Sequence, residues 1–336
     1  MIIVRAPLRI SFVGGGTDLP DFYRTSPGSV ISAAIDKYVY AVIHPIPFVD
    51  KVIAKYSISE TVDHASQLKN SRFREALLDM GIESNIEIGT FAHLPMKTGL
   101  GSSSSMSVAL IRGLHVYRGK KISKKETAEA ACRLEIDLVK EPIGKQDQYA
   151  AAFGGINVFR FNPDESVEVE PILLDYKKQH NFESHLLVFF TGITRLASSI
   201  LTEQKARTSQ NMHFLQKMAA MVPEFRDHLL RQDFERLGNM LHEGWLMKKK
   251  LASNVSNPVI DDLYASGIQN GAWGGKVLGA GGGGCILFCA PPQKHPEIRN
   301  ALQESARQNH LSGFREIPIH FANSGVEVIL NQDPYS

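Results

Sequence analysis

The sequence predicts an α+β protein of two domains dividing near residue 175, and three observations carry that expectation. The first half is rich in strand-like runs, while the second half is dominated by long helical patterns. Three glycine-rich turns, Gly14-Gly15-Gly16, Gly99-Leu100-Gly101 and Gly279 to Gly284, sit where strands end. No internal repeat or long disordered linker interrupts the chain.

Taken in order, Ile2–Val4 and Leu8–Val13 read as strands that close on the first glycine turn. A β-rich stretch runs over 30–49, clearest at Tyr38–Ile43, and Pro45 and Pro47 end it. Residues 71–80 have short-helix character, stopped by Gly81, and 85–91 form a strand leading to the serine-rich loop. Residues 106–117 follow with helical spacing. Ser123 with Glu126 three residues on is a capping box, which starts a helix reaching about Val139. Gly154-Gly155 then opens a β-rich segment to about Leu174.

In the second half, 186–191 read as a strand, and helices are expected over 196–207, 212–230, 234–250 and 258–270. The strand Cys285–Cys289 follows the last glycine turn. A helix at 297–308 and strands at 316–321 and 325–330 complete the chain.

Composition excludes several classes. With 336 residues, 43% hydrophobic and 21% charged, the chain is ordinary globular material. A net charge of +2 and a pI of 8.3 give no sign of a nucleic-acid partner. The short run Lys248-Lys249-Lys250 reads as a solvated helix face. Cys132, Cys285 and Cys289 are odd in number and set among apolar neighbours, as reduced core thiols are. No signal pattern opens the sequence and no run is long enough to span a membrane, so a cytoplasmic location is expected.

The chemistry concentrates in the glycine turns. Gly99-Leu100-Gly101-Ser102-Ser103-Ser104-Ser105 lies between a strand and a helix. Glycines let the backbone approach a ligand closely, and the following helix start offers free N–H groups and a partial positive charge. Ser hydroxyls add donors, so the loop reads as a phosphate cradle. It is neither a Walker A loop, lacking Gly-Lys-Ser/Thr, nor a hydrolase elbow, lacking Gly-x-Ser-x-Gly. Gly279 to Gly284 satisfies G-x-G-x-x-G in form, but a strand follows, which excludes a dinucleotide fingerprint. That turn reads as a backbone wall against substrate. Arg9, a lone charge on an apolar strand, needs a partner, and Asp147 is a candidate.

Together, Ala6–Asp18, Pro95–Ser104 and Gly274–Phe288 resemble the three motifs of the galacto-, homoserine, mevalonate and phosphomevalonate (GHMP) kinases, in the family's order. The resemblance implies an N-terminal domain like the second domain of ribosomal protein S5 (1–175, binding ATP) and a ferredoxin-like C-terminal domain (176–336). Within the family, Pro7–Asp18, Thr191–Arg195 and Val255–Pro258 look most like the D-glycero-D-manno-heptose 7-phosphate kinases, with bacterial L-fucokinase nearby. The chain departs from galactokinase at Gly15-Gly16, where that enzyme has Glu-His, and Leu8 replaces the usual glycine.

By that resemblance Asp147 is the catalytic aspartate and Arg9 the basic residue beside it. Gly99, Leu100, Gly101, Ser102, Ser103 and Ser104 hold the ATP phosphates, while Ser103 and Glu135 hold Mg2+. Gly14, Gly15, Gly16, Thr17 and Asp18 contact the sugar, with Gly281, Gly282 and Gly283 as the opposing wall. A phosphate already on the sugar calls for a basic residue, for which Arg195 is the first choice, followed by Lys97 and Arg24. The expected reaction is ATP-dependent phosphorylation of the anomeric hydroxyl of a heptose 7-phosphate to the 1,7-bisphosphate, in nucleotide-activated heptose synthesis. A fucokinase-like sugar 1-kinase is the enzymatic alternative, and a silent sugar/ATP sensor the non-enzymatic one. The partner is a small-molecule sugar phosphate, with neither nucleic acid nor membrane.

Overall fold

Strand pairing, antiparallel except where Val52–Lys55 runs parallel to Ile86–Gly89, organises the molecule into two sheets. The computed structural model describes residues 1–194 and 197–332; Arg195, and Leu196 where the sequence starts a helix, lie outside them. The first sheet contains β1 (Ile2–Val13), β2 (Gly28–Pro45), β3 (Val52–Lys55), β4 (Ser59–Val62), β5 (Ile86–Ala92), β6 (Ile156–Phe161) and β7 (Val167–Pro171). The second contains β8 (Leu186–Phe190), β9 (Gly274–Val277), β10 (Cys285–Cys289) and β11 (Arg315–Glu316), in the order β11-β8-β10-β9. The last strand, β12 (Glu327–Asn331), returns to pair with β1 in the first sheet. Residues 327–331 therefore stand apart from the rest of the expected 176–336 unit.

β2 is the hub. It pairs with β1 along most of its length, with β5 through Val39–Pro45, and with β6 through Gly28–Ala33. The two segments expected at the N-terminus are one strand, because Arg5, Ala6 and Pro7 continue the ladder to Tyr40, Val39 and Tyr38. The helix Ser102–Tyr117 packs across β1 and β2. Gly113 makes that approach close: a Cβ there would stand 2.5 Å from Ile43 Cδ1.

The Ser123–Glu126 capping box forms with both of its bonds, Glu126 N–H to Ser123 Oγ at 3.1 Å and Ser123 N–H to Glu126 Oε2 at 2.6 Å. That helix, Lys124–Cys132, continues as a π-helical stretch, Arg133–Leu138. Such widened turns recur at functional sites. The sequence reading did not anticipate the helices Gln146–Phe153 and Tyr176–Glu183 or the strands β3 and β4.

Every residue of β8 and β10 is buried, which accounts for their unbroken apolar composition. Leu187 and Phe189 face a core with Ile298 and Leu302, whereas Leu186, Val188 and Phe190 join the core of the first sheet. Phe12 links the halves, its ring centroid 5.3 Å from that of Phe182 and 5.4 Å from that of Phe225. Cys132, Cys285 and Cys289 are free buried thiols. No helix among the described residues is long and apolar enough to cross a membrane.

Candidate active site

A cavity of about 290 Å³ opens where the three glycine turns meet. The second and third turns pack backbone on backbone. A Cβ at Gly99 would stand 2.5 Å from the Leu278 oxygen, and one at Gly279 would stand 2.8 Å from Gly99 Cα. Both residues also hold positive φ, 80° and 68°, so no side chain is tolerated at either. The Cys285 amide donates to the Thr98 oxygen at 2.9 Å, which ties β10 to the serine loop.

Gly101 is the N-cap of the helix Ser102–Tyr117, and no side chain caps it. The ladder begins with the Ser105 amide donating to the Gly101 oxygen at 2.9 Å. The amides of Ser102, Ser103 and Ser104 precede that bond, and these three serines line the cavity. Such an array suits a phosphate chain. Leu100 instead lies in the core, where its oxygen accepts from the Arg9 amide at 3.0 Å.

Arg9, 3% exposed, grips Asp147 with a two-pronged bond: Nε to Oδ1 at 2.7 Å and Nη2 to Oδ2 at 2.8 Å. Its Nη1 donates to the Gly99 oxygen at 2.7 Å. Three of the five guanidinium N–H groups are thus engaged, leaving two for a ligand. Gly101 is pressed on this pair, a Cβ there standing 3.3 Å from both Arg9 Cγ and Asp147 Oδ2.

Asp18 is buried beside them and accepts from the amides of Gly16 at 3.1 Å and Gln146 at 3.3 Å. Burial, then the nearby Asp147 charge, pushes its carboxyl above the usual range. Gly15 and Gly16 line the cavity with it. Gly14 and Thr17 do not; they hold the turn. The Thr17 hydroxyl sits 2.8 Å from the Gly14 oxygen and accepts from the Ser29 amide at 3.0 Å. Across the cavity Gly281 and Gly283 line the wall, whereas the Gly282 amide is spent on the Val255 oxygen at 2.8 Å.

Glu135 lies beneath the serine helix start, with none of its surface exposed. It accepts from Arg72 Nε at 3.1 Å and Gln148 Nε2 at 2.5 Å, with the Ser104 hydroxyl alongside. Ser103, the expected partner, lines the cavity. Burial raises the Glu135 carboxyl despite the Arg72 charge. Arg72 also pairs with Glu141 at 2.7 Å and borders the cavity. Among the described residues no three His, Cys, Asp or Glu side chains converge as a metal site.

Of the residues expected to meet a substrate phosphate, Arg195 is outside the described residues. Arg24 is largely exposed on Glu165 and takes no part in the cavity, while Lys97 borders it. The triple-lysine run needs correcting: Lys248 is 6% exposed and turns into the cavity rather than to solvent. Its amine donates to the Gly279 oxygen, and burial pushes it down to about 8. Lys276 is 5% exposed, donates to the Phe12 oxygen at 2.8 Å, and is also pushed down by burial.

Arg72, Lys248, Lys276 and Gln204 were not picked out from the sequence. One signal was available for Lys276, a single charge inside the otherwise uncharged run from Ala272 to Cys289. Nothing local marks Gln204, whose Nε2 is buried without a hydrogen-bond partner and would meet a Cβ at Gly16 at 2.4 Å. Ser11 Oγ and Gln146 Oε1, both on cavity residues, are likewise buried without partners. Polar atoms left this way are exceptional in a folded protein and call for a partner from the cavity.

Comparison with known proteins places this geometry among relatives. Residues 63–155 match the model of the GHMP kinases N terminal domain and residues 222–308 that of the GHMP kinases C terminal, together more than half of the chain. The chain is 28% identical to the D-glycero-alpha-D-manno-heptose 7-phosphate kinase of Campylobacter jejuni, over 93% of this chain and 96% of that one. It is also 28% identical to the bifunctional fucokinase/GDP-fucose pyrophosphorylase of Arabidopsis thaliana, over 90% of this chain and 31% of that one. A crystal structure of a D-glycero-D-manno-heptose 1-phosphate kinase from Bacteroides thetaiotaomicron superposes with a TM-score of 0.80 at 23% identity, covering 99% of this chain and 100% of the other.

Proposed function

The chain belongs to the GHMP kinases, and from that membership we propose that it transfers the γ-phosphoryl group of ATP to the anomeric hydroxyl of D-glycero-D-manno-heptose 7-phosphate. The chain is a sugar kinase of this family. The observation that carries it is the Arg9–Asp147 fork held against the serine-loop glycines. We take residues 1–175 as the ATP-binding domain and the bulk of 176–336 as the second domain, with the cavity between them.

In this reading the phosphates lie on the Ser102–Ser104 amides, and the acceptor lies against Gly15, Gly16 and Asp18. The sugar hydroxyl oxygen attacks the γ-phosphorus while the bond to the β,γ-bridging oxygen breaks. ADP keeps that electron pair, and an Asp147 oxygen takes the hydroxyl proton. The two free Arg9 N–H groups stabilise charge on the transferring group. An anomeric hydroxyl is more acidic than an ordinary alcohol, so a carboxylate suffices as base.

A Mg2+ ion entering with the nucleotide fits this chemistry, since such ions keep several water and phosphate ligands and need few from protein. Ser103 or Ser104, which line the cavity, and Glu135 behind them, here bonded to Arg72 and Gln148, are the residues that would hold it. Bound there, it would neutralise phosphate charge.

The test offers Mg-ATP with heptose 7-phosphate, fucose, galactose and mevalonate and measures ADP release. Turnover on heptose 7-phosphate supports the proposal, and turnover on fucose alone replaces it with a fucokinase. No turnover on any sugar leaves a sensor. Asp147→Asn abolishes turnover with ATP affinity retained; loss of ATP binding instead would mean the base lies elsewhere.

A further inference from the structure

Two buried lysines face the cavity with most of their hydrogen-bonding capacity unspent. Each ammonium carries three donors, and each makes one hydrogen bond, Lys248 to the Gly279 oxygen and Lys276 to the Phe12 oxygen. The charges acting on Lys276 are Lys248 and Arg9, both positive, whereas Lys248 also feels Asp18 and Asp147. Since Arg9 is already paired with Asp147, two lysines set against Asp18 leave a surplus of positive charge, carried on side chains that are themselves buried. Burying such charge is costly unless an anion arrives.

The positions of the lysines give that anion a place. Arg9 and Ser11 alternate onto one face of β1, and Lys276 reaches the same strand at Phe12. Three residues of strand separate the Asp147 end from the Lys276 end, about 10 Å at the usual rise per residue. That is the span of a pyranose ring with an exocyclic arm. Ser11 Oγ and Gln204 Nε2, buried and unpartnered, border the same cavity and suit the sugar hydroxyls between the ends.

We propose that Lys276, with Lys248 beside it, is the subsite for the phosphate group that the acceptor sugar already carries, so that these lysines select a sugar phosphate over a free sugar. The proposal rests on the kinase reading above and adds to it the residues that set acceptor class. Arg195 was the choice from sequence; the lysine pair needs no contribution from it.

The experiment measures steady-state kinetics on D-glycero-D-manno-heptose 7-phosphate and on the same heptose without phosphate, for wild type, Lys276→Met and Lys248→Met. Nucleotide binding by titration reports folding of each variant. Wild type should prefer the phosphorylated sugar. Each variant should lose about ten- to hundredfold more in kcat/KM on it than on the free sugar, the worth of charged hydrogen bonds. An equal fall on both sugars with a raised KM for ATP would assign the lysines to the nucleotide and overturn the proposal. Unchanged kinetics would reduce them to fasteners of Gly279 and Phe12 and overturn it too. If Lys276→Met does not bind nucleotide, Lys248→Met decides. Wild-type turnover of both sugars with equal efficiency sinks the subsite while leaving the kinase standing, whereas turnover of neither sinks the heptose reading on which the subsite rests.

Discussion

Gly144 leaves the room that the Asp18 carboxylate occupies: a Cβ at residue 144 would stand 2.0 Å from Asp18 Oδ2 and 2.4 Å from its carboxyl carbon. The segment from Gly144 to Asp147 thereby sets two carboxylates at once, since the Gln146 amide also donates to Asp18. Gly144→Ala must push Asp18 off the two amides that hold it. We expect the acceptor KM to rise at least tenfold with ATP affinity retained, because the three atoms nearest a Cβ at residue 144 all belong to Asp18. Initial-rate kinetics with varied sugar and a nucleotide titration check this.

Arg9 is not replaceable by lysine. The fork on Asp147 and the bond to the Gly99 oxygen come from three nitrogens of one planar group, which a single ammonium cannot reproduce. Arg9→Lys keeps the charge but frees Asp147 to rotate. A fall in kcat of about 100-fold is expected, similar to losing one preorganised donor at a reacting centre. An unchanged kcat would show that charge alone is sufficient.

Arg72 shields a buried anion. Glu135 is fully buried while Arg72 is 16% exposed, and removing the guanidinium strands the carboxylate. Arg72→Ala should lower unfolding stability by about 3 kcal/mol, as for breaking other buried pairs. Adding Glu135→Gln to it should restore most of the loss. Urea denaturation of the single and double variants measures both.

Lys248 gives stability a pH dependence. Burial, then Arg9, lowers its amine from 10.5 to about 8, partly opposed by Asp18 and Asp147. Below about 8 both folded and unfolded chains hold the proton, and the full cost of the buried charge is felt. Between 8 and 10.5 the unfolded chain binds more protons, so stability rises with pH there. Lys276, shifted in the same direction, adds to the rise. Lys248→Met should flatten it, as read from denaturation midpoints across that range.

Much of the site was legible because its signals are local. The Gly99–Ser105 loop needs only its neighbours to become a helix start, and Ser123 finds Glu126 three residues away. Arg9 announced its need for a partner by standing on an apolar strand, and Asp147 supplied it across 138 residues. The roles of Thr17 and Gly282 were not legible, because both look like ligands until their bonds to main chain are seen. Lys248 misled for a related reason: it is the last residue of the helix Phe234–Lys248 and turns inward, while Lys250, beyond the C-cap Lys249, stays exposed.

The sequence by itself determined most of the longer elements, the three backbone turns and the kinase family, since glycine conformation and helix starts depend on residues within a few positions. Only the tertiary structure decided which polar groups share the cavity. It brought Lys276 of β9 to the Phe12 carbonyl, Arg72 to Glu135, and Gln204 to Gly16. It also returned β12 to the first sheet. These pairings join residues far apart in the chain. They are set by how two sheets pack around Phe12, Phe182 and Phe225, which no short window of sequence contains.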